Sequence, residues 1–428
     1  MPDITSDLLP RLQDHRIDDI NLGDGLIYPH YQGLSILNIP STICQWMGTP
    51  GIGAPALIPE IISAVDGRIR KVILVLMDAL ALHRFQRWLI SGDAPAWESI
   101  LDEGILAPLT SITPSTTSAA LTSLWTGRAP FEHGILGYEM WLKEYGIVAN
   151  TILHSPIAYQ GQVGSLSHAG FSPENFMTLP TMGTHLASHG VAAYAFQHYT
   201  IARSGLSQMF FNDVDIHSFS TASDLWINLR QLIEAKGHER LYTWVYWGQV
   251  DHFSHFHGPD DERPAAEFQL FSEAMERNFL DQLSETARQD ALLILTADHG
   301  QIGTVQDPHY ELRNHPELMK CLHILPSGEN RLAYLFVRPG RCEQVKEYIN
   351  TNWPGKFAIV DPLLAAARGL FGPGSQHAAL DDRLGDYALI ALDDAYLWWT
   401  VKNNILIGRN GGLHPEEMLV PFLATRLG

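Results

Sequence analysis

Four stretches of the chain are apolar almost without a break: VILVLM (72–77), AAYAFQ (192–197), LYTWVYW (241–247) and LLILTA (292–297). Runs of this length and composition suit strands buried on both faces, as in a parallel sheet covered by helices. Between them lie SDLWINLRQLIEAKG (223–237) and AAEFQLFSEAMERNFLDQLSETARQ (265–289), whose apolar spacing predicts helices. Strands alternating with helices predict an α/β fold, a doubly wound and mainly parallel sheet sandwiched by helices.

The pattern changes after about residue 310. RLAYLFVRPG, CEQVKEYINTNW, KFAIVDP and LLAAARGLFG follow one another as short strand-like and helix-like pieces. They predict a small inserted α+β cap over 310–408. The closing segment 409–428 (RNGGLHPEEMLVPFLATRLG) is expected to return to the core, which covers 66–309. Residues 1–65, rich in Pro and Gly, are expected to form an extension packed on that core.

Composition narrows the function. The chain has 428 residues, 46% apolar and 18% charged, as in a packed globular protein. Lys and Arg total 28 against 47 Asp and Glu, a formal charge of −19, which argues against a basic nucleic-acid groove. An anionic substrate then needs local positive charge, and metal ions can supply it. Cys44, Cys321 and Cys342 are too few and too scattered for a disulfide framework or a cysteine zinc site. The N-terminus shows no apolar signal segment and no stretch is long enough to span a membrane, so a cytoplasmic setting is the expectation.

The candidate chemistry collects where apolar runs end. VILVLM leads into Asp78, LLILTA into Asp298, and LYTWVYW through GQV into Asp251. Ligands of open α/β sheets bind beyond the carboxyl ends of the strands. One aspartate there is an ordinary capping or turn residue, but three gather like charges unless cations sit among them. His299 follows Asp298 directly, and Gly300 is expected to let the backbone turn. His255 lies four residues after Asp251 in WGQVDHFSHFHGP, one helical turn away. His252 and His257 lack that register and are expected to be neighbours only. Carboxylates mixed with imidazoles suit zinc, with manganese or iron as lesser options. In SITPSTTSAALTSLWTG (111–127) a Ser/Thr run opens a helix that Gly127 stops. Ser115 to Ser118 are capping residues on the plain reading, or carry a metal-activated hydroxyl on the functional one.

Taken together, Asp after a strand, Pro-x-x-Thr opening a helix, Asp-x-x-x-His-x-x-Gly-Pro and Asp-His-Gly resemble the alkaline phosphatase superfamily. The nearest branch is that of the nucleotide pyrophosphatases/phosphodiesterases, over roughly residues 70 to 425. The resemblance implies an alkaline phosphatase-like fold and two divalent metal ions. It implies Thr117 as nucleophile and ligand, with Asp78, Asp298 and His299 on one ion. Asp251, His255 and the late His414 would hold the other. Tyr138, in HGILGY, stands where the branch carries an Asn that touches a phosphate oxygen, so it is the expected substrate contact. Ala79 replaces a common Gly.

The implied activity is hydrolysis of phosphodiester or pyrophosphate bonds through a phosphothreonine. The substrate would be small and phosphorylated, with nucleotides among the candidates. A phosphomonoesterase or phosphonate hydrolase of the same superfamily is the alternative, and a non-catalytic metal-binding protein the alternative outside enzymes. No Arg or Lys lies within 111–127, which favours diesters unless the cap supplies a cation.

Overall fold

The four apolar runs become neighbours in one seven-stranded sheet. The computed structural model describes residues 3–92, 96, 97, 100, 104–158 and 161–428. The sheet runs, from edge to edge, through Gly104–Thr110, Leu419–Arg426, Ala291–Thr296, Lys71–Met77, Leu241–Trp247, Ala192–His198 and Val214–Phe219. All pairings are parallel except those of Leu419–Arg426, which runs opposite to both its neighbours. Lys71–Met77, Gly104–Thr110 and Ala291–Thr296 are buried at every position, as expected where helices cover both faces. The fold is the predicted one, an α/β sandwich around a mainly parallel sheet.

Register decides where the aspartates arrive. Met77 pairs with Trp247, and Leu76 with Thr296, so the three central strands end at one level. Asp78 and Asp298 therefore emerge side by side on the carboxyl edge, and Asp251 follows within the first turn of the next helix, Gln249–His257.

The helix Ala222–Ala235 begins at Thr221, whose hydroxyl accepts from the Asp224 amide. It packs Trp226 against Phe271 and Phe279, with ring centroids 5.2 Å apart in each case. The stretch read as one helix over 265–289 is divided. Glu262–Asn278 is helical, the chain then turns through Phe279 and Leu280–Gln282, and a new turn starts at Glu285–Arg288 under a Ser284 cap. Phe279, Leu280, Leu283 and Ala287 are all buried. The helix stops at Phe279, whose φ of −122° and ψ of −70° leave the helical region, and the Ser284 hydroxyl starts the new turn by accepting from the Ala287 amide.

A second seven-stranded sheet is wholly antiparallel. Its order is Phe357–Val360, Tyr387–Ala391, Leu332–Leu335, Ser327–Glu329, Glu139–Leu142, Ile147–Asn150 and Ser155–Pro156. Segments 139–156 and 327–391 thus share one sheet, joined where Gly328 pairs with Glu139. A separate apolar cluster containing Leu318, Val345, Ile349, Trp353 and Leu389 lies on the 310–408 side. The N-terminal residues bury Leu8 and Leu12 and bridge to the first edge strand through Asp3 with Leu106 and Ser35 with Thr110. Among the described residues no helix is long and apolar enough to cross a membrane.

Candidate active site

Thr117 is the first residue of the helix Thr117–Thr126, and Thr116 before it is extended. The helix stops at Gly127, whose φ is +64°. A Cβ there would sit 2.1 Å from the Ile52 carbonyl oxygen, so only glycine fits. This anchored helix aims the Thr117 hydroxyl at the carboxyl edge of the sheet. Its Oγ1 lies 3.0 Å from His299 Nε2.

His299 is fully buried, and its other ring nitrogen, Nδ1, is 2.9 Å from the Gly300 carbonyl. A carbonyl only accepts, so Nδ1 carries the proton and Nε2 presents a lone pair. That lone pair faces Asp78 Oδ1 at 3.6 Å and Asp298 Oδ2 at 3.5 Å. Both oxygens are buried without a hydrogen-bond partner. Two orphaned carboxylate oxygens beside an imidazole lone pair are costly in a protein interior and suited to a cation. Donor atoms around a tetrahedral zinc ion stand about 3.3 Å apart, close to the spacings here. Asp78, Asp251 and His299 also offer ligand atoms that lie within 4.8 Å of one another. The residues present fit a divalent metal.

The charge state agrees with the geometry. Burial, then the Asp298 and Asp251 charges, push the Asp78 carboxyl well above the usual carboxylate range. Tyr246 donates its hydroxyl to Asp78 Oδ2 and so leaves Oδ1 as the outward donor. Asp298 is positioned by the amides of Ala79 (3.2 Å) and His299 (3.0 Å), both onto Oδ1, with Oδ2 again left free. Ala79 pays for this with a φ of +61°, the left-handed region where the branch's Gly would be unstrained. Gly300 differs from expectation. Its φ is not positive, and it is required by close approach, since a Cβ would meet the Glu416 carbonyl oxygen at 2.1 Å.

Asp251 and His255 are the other predicted pair. They lie one turn apart in the helix Gln249–His257, with Nε2 3.4 Å from Oδ1. His255 Nδ1 is 2.8 Å from the Gly408 carbonyl, so its Nε2 also presents a lone pair. Gln301 donates to the Asp251 side chain and backbone carbonyl and holds it in place. His252 and His257 are exposed, as expected of bystanders.

The structure does not bring His414 to this pair. Its Nδ1 accepts from the Glu416 amide at 3.2 Å and caps the short helix Pro415–Met418. A ring that accepts at Nδ1 carries its proton on Nε2 and has no lone pair left for a metal. Its charged neighbours are Glu417, Arg331, Glu416 and Asp393. Asn410, four residues earlier, stands in the site instead, with Nδ2 3.2 Å from the Ser115 carbonyl oxygen and 3.3 Å from His299 Nε2. The run RNGGLH contains both residues, and no periodicity in it marks which one turns inward.

Beside Thr117 opens a cavity of about 700 Å³ lined by residues that include Tyr138, Glu329, Trp398, Trp399 and Arg409. Tyr138 is 39% exposed, and its hydroxyl accepts from Asn150 Nδ2 at 2.6 Å. Its amide donates to Glu329 Oε1 at 2.8 Å, and the Thr116 hydroxyl donates to the same oxygen. Burial pushes the Glu329 carboxyl up to about 7. Glu329, Asn410, Tyr246 and Gln301 were not singled out in the sequence, where none stands in a distinctive spacing.

The comparisons extend this picture. A comparison with curated protein sequences finds no match. Among solved structures, murine ectonucleotide pyrophosphatase/phosphodiesterase 5 aligns with a TM-score of 0.60 at 18% identity, over 83% of this chain and 87% of its own. Phosphonoacetate hydrolase from Sinorhizobium meliloti, in complex with phosphonoformate, aligns with a TM-score of 0.59 at 17% identity, over 83% and 89%. Likeness at these identities shows the shared fold. The family model for type I phosphodiesterase/nucleotide pyrophosphatase matches residues 72–393, which contain every predicted site residue except His414. The chain belongs to the type I phosphodiesterase/nucleotide pyrophosphatase family, a branch of the alkaline phosphatase superfamily whose members generally depend on divalent metals.

Proposed function

We propose that this protein hydrolyses phosphodiester or pyrophosphate bonds of a small phosphorylated substrate, with Thr117 as the nucleophile. One observation carries the reading: the Thr117 hydroxyl meets His299 Nε2 at 3.0 Å, where the orphaned oxygens of Asp78 and Asp298 also converge. Asp78, Asp298, His299 and Thr117 would hold one divalent ion, and Asp251 with His255 a second. Zinc suits this oxygen and nitrogen donor set best. When bound, such ions would ease loss of the Thr117 hydroxyl proton and offset the negative charge of the transferred phosphoryl group.

The chain's own residues supply the rest. The anchored 117–126 helix holds Oγ1 in line for attack and brings the partial positive charge of its N-terminus towards the phosphoryl oxygens. Oγ1 forms a bond to phosphorus while the bond to the leaving oxygen breaks and the Oγ1 proton passes to that oxygen, giving a phosphothreonine that still carries the substrate's other ester or phosphoryl substituent. The leaving group departs into the cavity, and water then cleaves the phosphothreonine and restores Thr117. Thr117→Ala should lower turnover by at least about a thousandfold, because the covalent step has no substitute. Its melting temperature and metal content should stay near those of the parent. Parent-like turnover in that variant would overturn the proposal.

A further inference from the structure

Among the described residues four arginines are fully or almost fully buried: Arg84, Arg331, Arg383 and Arg409. Three are matched by carboxylates. Arg84 pairs with Asp260 (3.2 Å) and Glu416 (2.6 Å), Arg331 with Glu417 (2.7 Å), and Arg383 with Glu144 (3.6 Å). The buried Lys71 has Asp290 and Glu234 among its charged neighbours. Arg409, 1% exposed, is the exception among the described residues.

Its guanidinium is held by neutral acceptors alone: Thr304 Oγ1 and Asn330 Oδ1 at 3.0 Å, Asn404 Oδ1 at 2.5 Å and the Leu406 carbonyl at 3.3 Å. Its Cζ stacks 3.9 Å above the Tyr396 ring and 5.4 Å from that of Trp398. Another cation, Arg331, acts on it unfavourably. A guanidinium stays protonated, so this is a buried positive charge without a counter-charge, and such a charge is normally costly. Nη1 makes only one of its two possible bonds.

Arg409 also lines the cavity beside Thr117, together with Lys402, Trp398 and Trp399. The acidic residues of the same cavity are committed elsewhere. Glu139 accepts from Trp399 Nε1 at 2.7 Å, Glu329 from Thr116 and the Tyr138 amide, and Asp251 from Gln301. From this juxtaposition we infer that Arg409 is the specificity-determining cation of the cavity, selecting substrates whose leaving group carries a distal oxyanion, a carboxylate or a phosphate. The aromatic rings beside it suit a flat leaving group. This rests on the hydrolase reading above for its chemistry, although the anion site itself can be tested without turnover.

The experiment uses the metal-loaded protein and three methyl aryl phosphodiesters that differ only at the para position: carboxamide, carboxylate or phosphonate. In the parent, kcat/KM for either anionic ester should exceed that for the carboxamide by roughly tenfold or more, the scale of a charge-assisted hydrogen bond. The larger of the two anionic values identifies the preferred oxyanion. Arg409→Gln should collapse the anionic-to-neutral ratio to near one, and Arg409→Lys should restore part of it. Equal rates for all three esters in the parent, or a ratio unchanged in Arg409→Gln, would overturn the inference.

If Arg409→Gln fails to fold, the parent ratio decides. Calorimetry with 4-hydroxybenzoate and 4-hydroxybenzamide tests the site independently of chemistry. Tighter binding of the benzoate by the parent, in a protein that cleaves none of the esters, would sink the hydrolase reading and leave the anion site standing. Equal binding of both probes would sink the anion site.

Discussion

The two halves of the proposed ligand set are built differently. Asp78, Asp298 and His299 are buried to 2% exposure or less and sit at the ends of adjacent strands locked in register. Asp78 and Asp298 each leave one oxygen without a hydrogen-bond partner beside His299 Nε2, which meets the Thr117 hydroxyl. Asp251 and His255 are partly exposed and lie on one helical turn, while the late loop turns Asn410 to His299 and keeps His414 as a helix cap. The first half is a closed cage prepared for a charge. The second is a two-residue ledge open to the cavity. The difference predicts unequal ions, one held tightly and one exchangeable.

The largest effect should therefore come from the cage. Asp298→Asn should lower kcat by at least about a hundredfold and remove the tightly held ion, read by metal analysis of the dialysed protein. Asp251→Asn should leave that ion in place while losing the weaker one. Equal loss of metal from both variants would erase the distinction between the halves.

A second contrast can be drawn within the late loop, between Asn410 beside His299 and the helix-capping His414. Asn410→Ala should reduce kcat/KM by roughly tenfold or more, because it frees His299 and Ser115 from a shared partner. His414→Ala should change kcat/KM by less than about threefold and act on stability, by about 1 kcal/mol, through the lost helix cap. The reverse ranking, measured under steady-state conditions alongside thermal melts, would restore His414 as the ligand.

The smallest effect belongs to the strain beside the cage. Ala79→Gly should stabilise the fold by up to roughly 1 kcal/mol, since glycine adopts the left-handed conformation without a Cβ clash. Its greater freedom when unfolded offsets part of that gain. A clearly lowered melting temperature would mean that the Ala79 methyl group contributes packing that outweighs its backbone cost.

The same contrast explains what could be read in advance. The cage was legible because three apolar runs end beside aspartates, and adjacent parallel strands bring such ends together. Asp251 and His255 were legible from their four-residue spacing. The late loop was not, since RNGGLH offers an Asn and a His four residues apart with no period to choose between them. Gly300 was expected to serve a turn, yet what it serves is contact with Glu416, over a hundred residues away. Tyr246 sits in an apolar strand and looks like core until its hydroxyl meets Asp78. The second sheet joins 139–156 to 327–391, and no local pattern announces a pairing across that distance. Arg409 carries no motif at all. Its meaning lies in the carboxylates that the other buried arginines have and it lacks.

The central claim is that Thr117 carries the phosphoryl group. The most direct test is to quench the metal-loaded protein during turnover of an aryl alkyl phosphodiester and map the transferred alkyl phosphoryl group by peptide mass spectrometry. The account predicts the alkyl phosphoryl group of the ester on the peptide containing Thr117, absent from Thr117→Ala and from protein stripped of metal. Steady turnover with the group on another side chain, or undiminished turnover in Thr117→Ala, would contradict it.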